Sequence, residues 1–211
     1  KQEHKVMLQH DRASGVLQPE YHRATPECPH PKQWSMLDSM TAEVEVLELL
    51  GTLVTTLKPQ LVVETGSFLG VSTEWIARGL ERNAGSGAMP AGKVISCEYD
   101  PVVYARAKQR FAANPLARFV DLRNESSLEM AVNGQIDLLF SDSDPELREA
   151  EVRRFVPQMN PNGLIVIHDA SSHLKTVREA AKKLEREGLI SVLLLPTPRG
   201  LVLAQPRTAL G

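Results

Sequence analysis

The chain has 211 residues, enough for one α/β domain, and its 42% hydrophobic residues with only 5% aromatics supply an aliphatic core but no stacking platforms for single-stranded nucleic acid. Lys and Arg number 24 against 26 Asp and Glu, so a formal net charge of -2 gives no long-range pull toward nucleic acid or an anionic membrane, and a small-molecule partner fits better. Cys28 and Cys97 lack the spacing of a zinc or redox site, no apolar run reaches the ~20 residues of a bilayer span, and the polar start Lys1–Lys5 lacks the apolar stretch of a signal peptide, so a cytoplasmic protein is expected.

Residues 1–35 mix His, Pro, Arg and Glu with little periodicity, and Pro26, Pro29 and Pro31 forbid a continuous helix. An arm or lid is expected there, ahead of a single domain over 36–211. Such an arm can cross to a neighbour, which makes a homodimer the assembly to test. Its histidines His4, His10, His22 and His30 have no regular spacing and read as solvated rather than as ligands.

From Ser39 to Leu57, Val46, Leu49, Leu50, Leu53 and Leu57 recur at helical spacing, with Glu43, Glu45 and Glu48 placed early where the helix dipole favours acids. Gln60–Glu64 is a strand that breaks at Thr65 and Gly66, followed by a helix over Gly70–Arg82 and a flexible loop over Asn83–Gly92. Lys93–Glu98 is the second strand. Asp100 before Pro101 caps a helix to about Ala113, a role that explains this acid without chemistry, as it does Asp144 before Pro145.

Three units repeat the pattern: strand Arg118–Leu122 with a short helix from Ser126, strand Ile136–Phe140 with a helix from about Glu146, and strand Leu164–Ile167 with a helix from about Ser172 that ends at Gly188. Leu189–Leu195 and Leu201–Ala204 are separated by too few residues for a helical crossover and must pair antiparallel. The expected fold is α/β and Rossmann-like: a seven-stranded, mostly parallel sheet closed by a C-terminal antiparallel β-hairpin, with helices on both faces.

In such a sheet the first βα turn, here Glu64-Thr65-Gly66-Ser67-Phe68-Leu69-Gly70-Val71-Ser72, does most of the ligand binding. Gly66 lets backbone approach a ligand, Gly70 lets the turn enter the helix, the free N–H groups of the first helical turn suit a carboxylate, and Ser72 adds a hydroxyl. Two glycines alone also fit an ordinary turn. Glu98 tips the balance, because an acid ending the second strand can accept both ribose hydroxyls of an adenosyl ligand. A nicotinamide-dependent Rossmann oxidoreductase would need G-x-G-x-x-G, and Phe68 stands where its second glycine belongs.

The run E-T-G-S-F-L-G-V-S, with C-E-Y-D-P at 97–101, D-L-L-F-S-D at 137–142 and N-G-L-I-V-I-H-D-A at 162–170, resembles the class I S-adenosylmethionine-dependent O-methyltransferases related to the catechol and caffeoyl-CoA enzymes. The resemblance covers roughly residues 39–204. It implies an S-adenosylmethionine cofactor with Gly66, Phe68 and Ser72 at its methionine and sulfonium end, Glu98 on ribose, Asn124, Glu125 and Ser126 flanking adenine, and Asp142 beside the methionine amino group. Glu64, Ser67, Gly70 and Tyr99 complete the cofactor set expected on this basis.

The same resemblance places Asp142 and Asp169, at the ends of the fourth and fifth strands, as ligands of a divalent cation such as magnesium that grips the methyl acceptor. Two departures count against it: Ala170 stands where the family supplies Asn or another ligand, and Pro145 where the catechol enzymes carry a catalytic lysine. Candidate chemistry then falls to Asp142, Asp169 and His173, with His168 nearby, either imidazole being a possible base and the bland alternative being that each merely ends a strand or caps a helix. Trp34, Met36 and Met40 are candidates to cover the cofactor or wall the acceptor, with core packing the alternative. Beside O-methylation stand N-methylation on the same fold and a catalytically silent adenosyl-binding protein.

Overall fold

The computed structural model describes residues 17–85 and 91–207. His4, His10 and part of the loop expected over Asn83–Gly92 lie outside them. The elements in chain order are β1 (Gln18–Pro19), β2 (Ser35–Met36), α1 (Val44–Leu57), β3 (Leu61–Thr65), α2 (Val71–Gly85), β4 (Lys93–Cys97), α3 (Pro101–Phe111), β5 (Val120–Arg123), β6 (Ile136–Ser141), α4 (Arg148–Phe155), β7 (Met159–His168), α5 (Lys175–Arg186), β8 (Ile190–Leu195) and β9 (Leu201–Pro206).

Strands β3 to β9 form one seven-stranded sheet in the order β5-β4-β3-β6-β7-β9-β8, parallel except for β9, which runs antiparallel to both β7 and β8. This is the architecture expected from the strand–helix alternation and the closing hairpin. Side chains alternate across the sheet: Val63, Ile95, Leu139, Ile165 and Ile167 pack with α4 and α5 residues Val152, Phe155, Val177, Ala181 and Leu184 on one face. Val62, Val94, Leu138, Phe140 and Val166 pack with α1 and α2 residues Leu47, Leu50, Ile76 and Leu80 on the other. With both faces covered, the central strands are apolar runs rather than alternating ones, and each fully buried aliphatic side chain contributes roughly 1.5–3 kcal/mol.

The chain goes from β3 outward to β4 and β5, then returns to β6 on the other side of β3. That reversal opens a crevice between the carboxyl ends of β3 and β6, the place where open α/β sheets bind ligands.

Several boundaries differ from the sequence-based expectation for local physical reasons. Helix α1 begins at Val44, not Ser39, because Asp38 accepts the backbone N–H groups of Met40 and Thr41 and holds 38–41 in a turn. Its buried face is Val46, Leu47, Leu50 and Val54, while Leu57 is exposed. A 3-10 turn over Pro115–Phe119, capped by Asn114 and anchored by buried Leu116 and Phe119, delays β5 to Val120. The helix expected from Ser126 is a single turn, closed where the Met130 N–H donates to the Ser126 carbonyl. Strand β7 starts at Met159, passing Pro161 and Gly163 through a register shift against β6. Asp100 and Asp144 cap as expected, Asp100 accepting from the N–H groups of Val102 and Val103 and Asp144 from that of Glu146.

The described part of the expected arm packs on the body. Thr25, Cys28 and Pro31 are buried, β1 pairs with β2, and the fully buried Glu20 carboxylate lies 3.3 Å from the guanidinium of buried Arg199. Cys28 and Cys97 are both free and buried. Among the described residues no helix is long and apolar enough to cross a membrane.

Candidate active site

A cavity of about 690 Å³ opens at the β3/β6 reversal. The turn after β3, the ends of β4 and β7, the loops after β5 and β6, and the 40–42 segment ahead of α1 all contribute to its lining. The last of these follows from the Asp38 turn, which lays Met40, Thr41 and Ala42 across the crevice instead of winding them into α1.

Gly66 and Gly70 both adopt left-handed φ of 78°. A Cβ on Gly66 would sit 2.5 Å from the Asp142 carbonyl oxygen, so this glycine lets the turns after β3 and β6 close on each other, not only a ligand on the backbone. A Cβ on Gly70 would sit 2.8 Å from the Phe111 ring, so Gly70 lets α3 pack against the entry to α2 and does not itself line the cavity. The turn is tied to β4 by the N–H groups of Gly66 and Ser67, both donating to the Cys97 carbonyl. Val71 and Ser72, at the start of α2, line the cavity, so the unpaired N–H groups of that first turn border it.

Glu64 lies behind the turn, fully buried, accepting from the Thr73 and Ser96 hydroxyls. Burial raises its pKa, against the lowering effect of the Ser72, Ser96 and Thr73 hydroxyls. It supports the turn from beneath rather than facing the cavity.

Glu98 does face it. Its two carboxylate oxygens accept from the N–H groups of Phe68 (3.0 Å) and Asp100 (2.9 Å), which ties the β3 turn to the end of β4 and leaves lone pairs for a ligand. Burial is the largest influence on this carboxyl and raises its pKa. Tyr99, Glu125, Ser126 and Ser127 line the same end, whereas Asn124 stands outside and donates to the carbonyls of Glu98 (2.8 Å) and Tyr99 (3.1 Å), holding that corner together. Two cavity-lining hydroxyls, Ser67 Oγ and Ser127 Oγ, are buried without a hydrogen-bond partner. Such groups cost free energy unless a ligand satisfies them.

Beside the β3 turn, Asp142 and Asp169 converge on the cavity from β6 and β7. Asp169 has φ of 66°, a left-handed conformation that costs a non-glycine residue roughly 1 kcal/mol or more and aims its carboxylate into the cavity. His168 lies behind both acids, 1% exposed, with Nδ1 3.1 Å from Asp142 and 3.6 Å from Asp169 and Nε2 2.7 Å from Glu43. Burial alone would lower its pKa, but Asp169, Asp142 and Glu43 outweigh it and hold the ring cationic. With both nitrogens donating to carboxylates, His168 is not a base. Glu43 in turn is held at about 2: burial raises its pKa, but His168, its own backbone N–H and Arg199 prevail. Its other oxygen accepts the Arg199 N–H at 3.0 Å. His173 is exposed and takes no part in the cavity lining.

The structure thus brings Gly66, Ser67, Phe68, Ser72, Glu98, Tyr99, Glu125, Ser126, Asp142 and Asp169 around one cavity, with Glu64, Gly70 and Asn124 supporting it and His173 apart. Of Trp34, Met36 and Met40, only Met40 lines it; Met36 is buried in packing. Sequence reasoning missed Thr41, Ala42, Ser127 and Ser143 in the lining, and three buried charges behind it: Glu43, Glu151 and Arg148. Glu151 accepts from the hydroxyls of Thr65 (2.8 Å), Ser141 (2.6 Å) and Ser143, locking the ends of β3 and β6 together.

Asp142, His168 and Asp169 each offer one ligand atom within 4.8 Å of the others, a spacing that by itself admits a cation. Arg148 decides against it. Its Nη2 lies 3.2 Å from Asp142 Oδ1 and 3.5 Å from Asp169 Oδ2, so an ion between the same acids would adjoin a guanidinium as well as a cationic imidazole. Ala170 is buried in the apolar core and adds no ligand. These residues do not fit a magnesium-type ion, which requires a near-octahedral shell of oxygens.

A family model described as a methyltransferase domain matches residues 63–170, just over half of the chain. A protein of Mycobacterium sp. (strain JLS) whose name assigns it to the O-methyltransferases is 26% identical over 172 residues, 74% of this chain and 74% of that one. Two solved structures share the fold. The SAH-bound methyltransferase PaMTH1 of Podospora anserina has a TM-score of 0.69 at 17% identity, over 80% of each chain. The O-methyltransferase from Bacillus cereus in complex with SAH has 0.66 at 18%, over 98% of this chain and 91% of that one.

Proposed function

The chain belongs to the methyltransferase-domain family, and from that premise we propose that it is an S-adenosylmethionine-dependent O-methyltransferase of small-molecule acceptors. The observation that carries this reading is the single cavity lined together by the Gly66–Ser72 turn, Glu98 and the Asp142/Asp169 pair. The fit to an adenosyl ligand rests on the partnerless hydroxyls of Ser67 and Ser127, on the open lone pairs of Glu98 and on the unpaired N–H groups of α2. The name borne by the mycobacterial relative favours oxygen as the methyl acceptor.

S-adenosylmethionine supplies a sulfonium methyl group for in-line displacement by the acceptor. The start of α2 binds the carboxylate of its methionine end, as helix N-termini bind anions, and Asp142 binds the amino group. Glu98 accepts the ribose hydroxyls, while Tyr99, Glu125, Ser126 and Ser127 enclose adenine. Met40, Thr41, Ala42, Pro145 and Leu147 exclude water around the acceptor. The Asp169 carboxylate, which has only long contacts from Arg148 and His168, accepts the acceptor's hydroxyl proton and orients its oxygen.

The test is methyl transfer from methyl-labelled S-adenosylmethionine to a panel of small phenols, alcohols and amines. Label on hydroxyl compounds is the expected result. Label confined to amines would replace the oxygen acceptor with nitrogen, and cofactor binding without transfer to any class would favour a silent adenosyl-binding protein.

A further inference from the structure

Arg148 is one of the largest buried side chains among the described residues, 1% exposed, and it sits directly behind the acids of the acceptor end. Its position is set by backbone: Nη1 donates to the Ser141 carbonyl and Nη2 to the Ser143 carbonyl at 2.6 Å, two anchors at the end of β6. From there Nη2 reaches Asp142 at 3.2 Å and Asp169 at 3.5 Å. A guanidinium is planar and does not deprotonate in proteins, so this is a permanent positive charge in fixed geometry. Asp142 and Asp169 nevertheless both line the cavity, Asp142 meeting Arg148 and His168 through the single oxygen Oδ1 and Asp169 meeting Arg148 through Oδ2 with Oδ1 3.6 Å from His168.

We propose that Arg148 takes the place of a divalent cation at this site, so that Asp142 and Asp169 are held and neutralised by the protein itself and the acceptor is bound without a metal ion. Arg148 is then a positioning residue, acting through the two carboxylates. A metal ion selects acceptors that offer it two neighbouring oxygens; with Asp142 on the methionine amino group, the Asp169 carboxylate braced by an arginine hydrogen-bonds a single hydroxyl. The acceptor class is therefore a lone hydroxyl rather than a chelating vicinal diol. This inference rests on the reading of that end of the cavity as the acceptor site, but its test does not require an acceptor.

The full chain is titrated calorimetrically with manganese(II) chloride, with S-adenosylhomocysteine titrated into the same preparations and folding checked by circular dichroism. The wild type is expected to give no saturable manganese binding tighter than about 1 mM, and Arg148→Lys to behave likewise. Arg148→Met, which keeps the stem and removes the charge, is expected to gain manganese affinity by roughly tenfold or more, and Arg148→Met/Asp169→Asn to lose it again. Saturable binding to the wild type that Asp169→Asn abolishes would overturn the proposal, and this pair decides the matter even if Arg148→Met fails to fold. A folded Arg148→Met with no gain would overturn the arginine's stand-in role. Loss of the cofactor reading would show separately, as absent S-adenosylhomocysteine binding with the manganese result unchanged.

Discussion

Gly66 illustrates how a single position in the candidate site is set by its neighbours. A methyl group there would meet the Asp142 carbonyl at 2.5 Å while forcing an L-residue to φ of 78°. Gly66→Ala is expected to destabilise the protein by about 2 kcal/mol, seen as a lowered denaturation midpoint, and to loosen the β3/β6 crevice. Asp169→Asn keeps the shape of its side chain but not the proton acceptor. Transfer to an accepted substrate should fall roughly a hundredfold or more, with S-adenosylhomocysteine affinity nearly unchanged; a parallel loss of both would place Asp169 in cofactor binding instead. The residues of this scale that were legible in the sequence, Gly66, Glu98, Asp142 and Asp169, lie within a few positions of a strand end, where a local pattern reveals them. The pairing of Glu43 with His168 was not, because the two meet across 125 positions of chain, and an acid ahead of a helix is already explained by the helix dipole. Arg148 was hidden likewise: an arginine in a charged stretch reads as solvated until β7 is seen packed beside β6.

At the scale of elements, the 38–43 segment links the ligand end of the cavity to the buried charges beneath. Asp38 turns it over the crevice and Glu43 pins it to His168. Glu43→Gln removes the negative charge and one of the two oxygens that accept from His168 and the Arg199 backbone N–H, and should destabilise the protein by about 3 kcal/mol near neutral pH. The pH dependence has a definite sign. Glu43, depressed from its ordinary 4.5 to about 2, contributes stability that is present above 4.5 and lost as pH falls toward 2. His168, raised well above its ordinary 6.5, contributes stability that is present below 6.5 and lost as pH rises through its folded value. The gap between wild type and Glu43→Gln, measured by denaturant unfolding across pH, is therefore expected to be widest in the middle range and to close toward pH 2. A gap independent of pH would show that Glu43 acts by packing alone. Element identity was legible here from periodicity and caps, but the start of α1 was not, since apolar spacing does not register that Asp38 captures the next two N–H groups.

At the scale of the molecule, the alternation of strands and helices and the closing hairpin carried the whole sheet, because parallel crossovers leave few arrangements for such an order. The N-terminal segment was less legible. Its prolines exclude a helix but do not exclude packing, and the buried pair of Glu20 with Arg199 ties the described part of the segment to the body. Deletion of residues 1–35 is expected to leave Arg199 without that partner and to cost about 3 kcal/mol or more of stability, measured by thermal unfolding; an unchanged midpoint would restore the picture of a separable arm.

The measurement that bears most directly on the whole account is calorimetric titration of the folded, ligand-free chain with S-adenosylhomocysteine, repeated on Glu98→Ala and set beside a nicotinamide dinucleotide. The expected result is one site per chain, weakened roughly ten- to a hundredfold by the substitution and not occupied by the dinucleotide, as the loss of charge-assisted hydrogen bonds to ribose requires. Absence of binding, or preference for the dinucleotide, would contradict the assignment of this cavity to an adenosyl methyl donor.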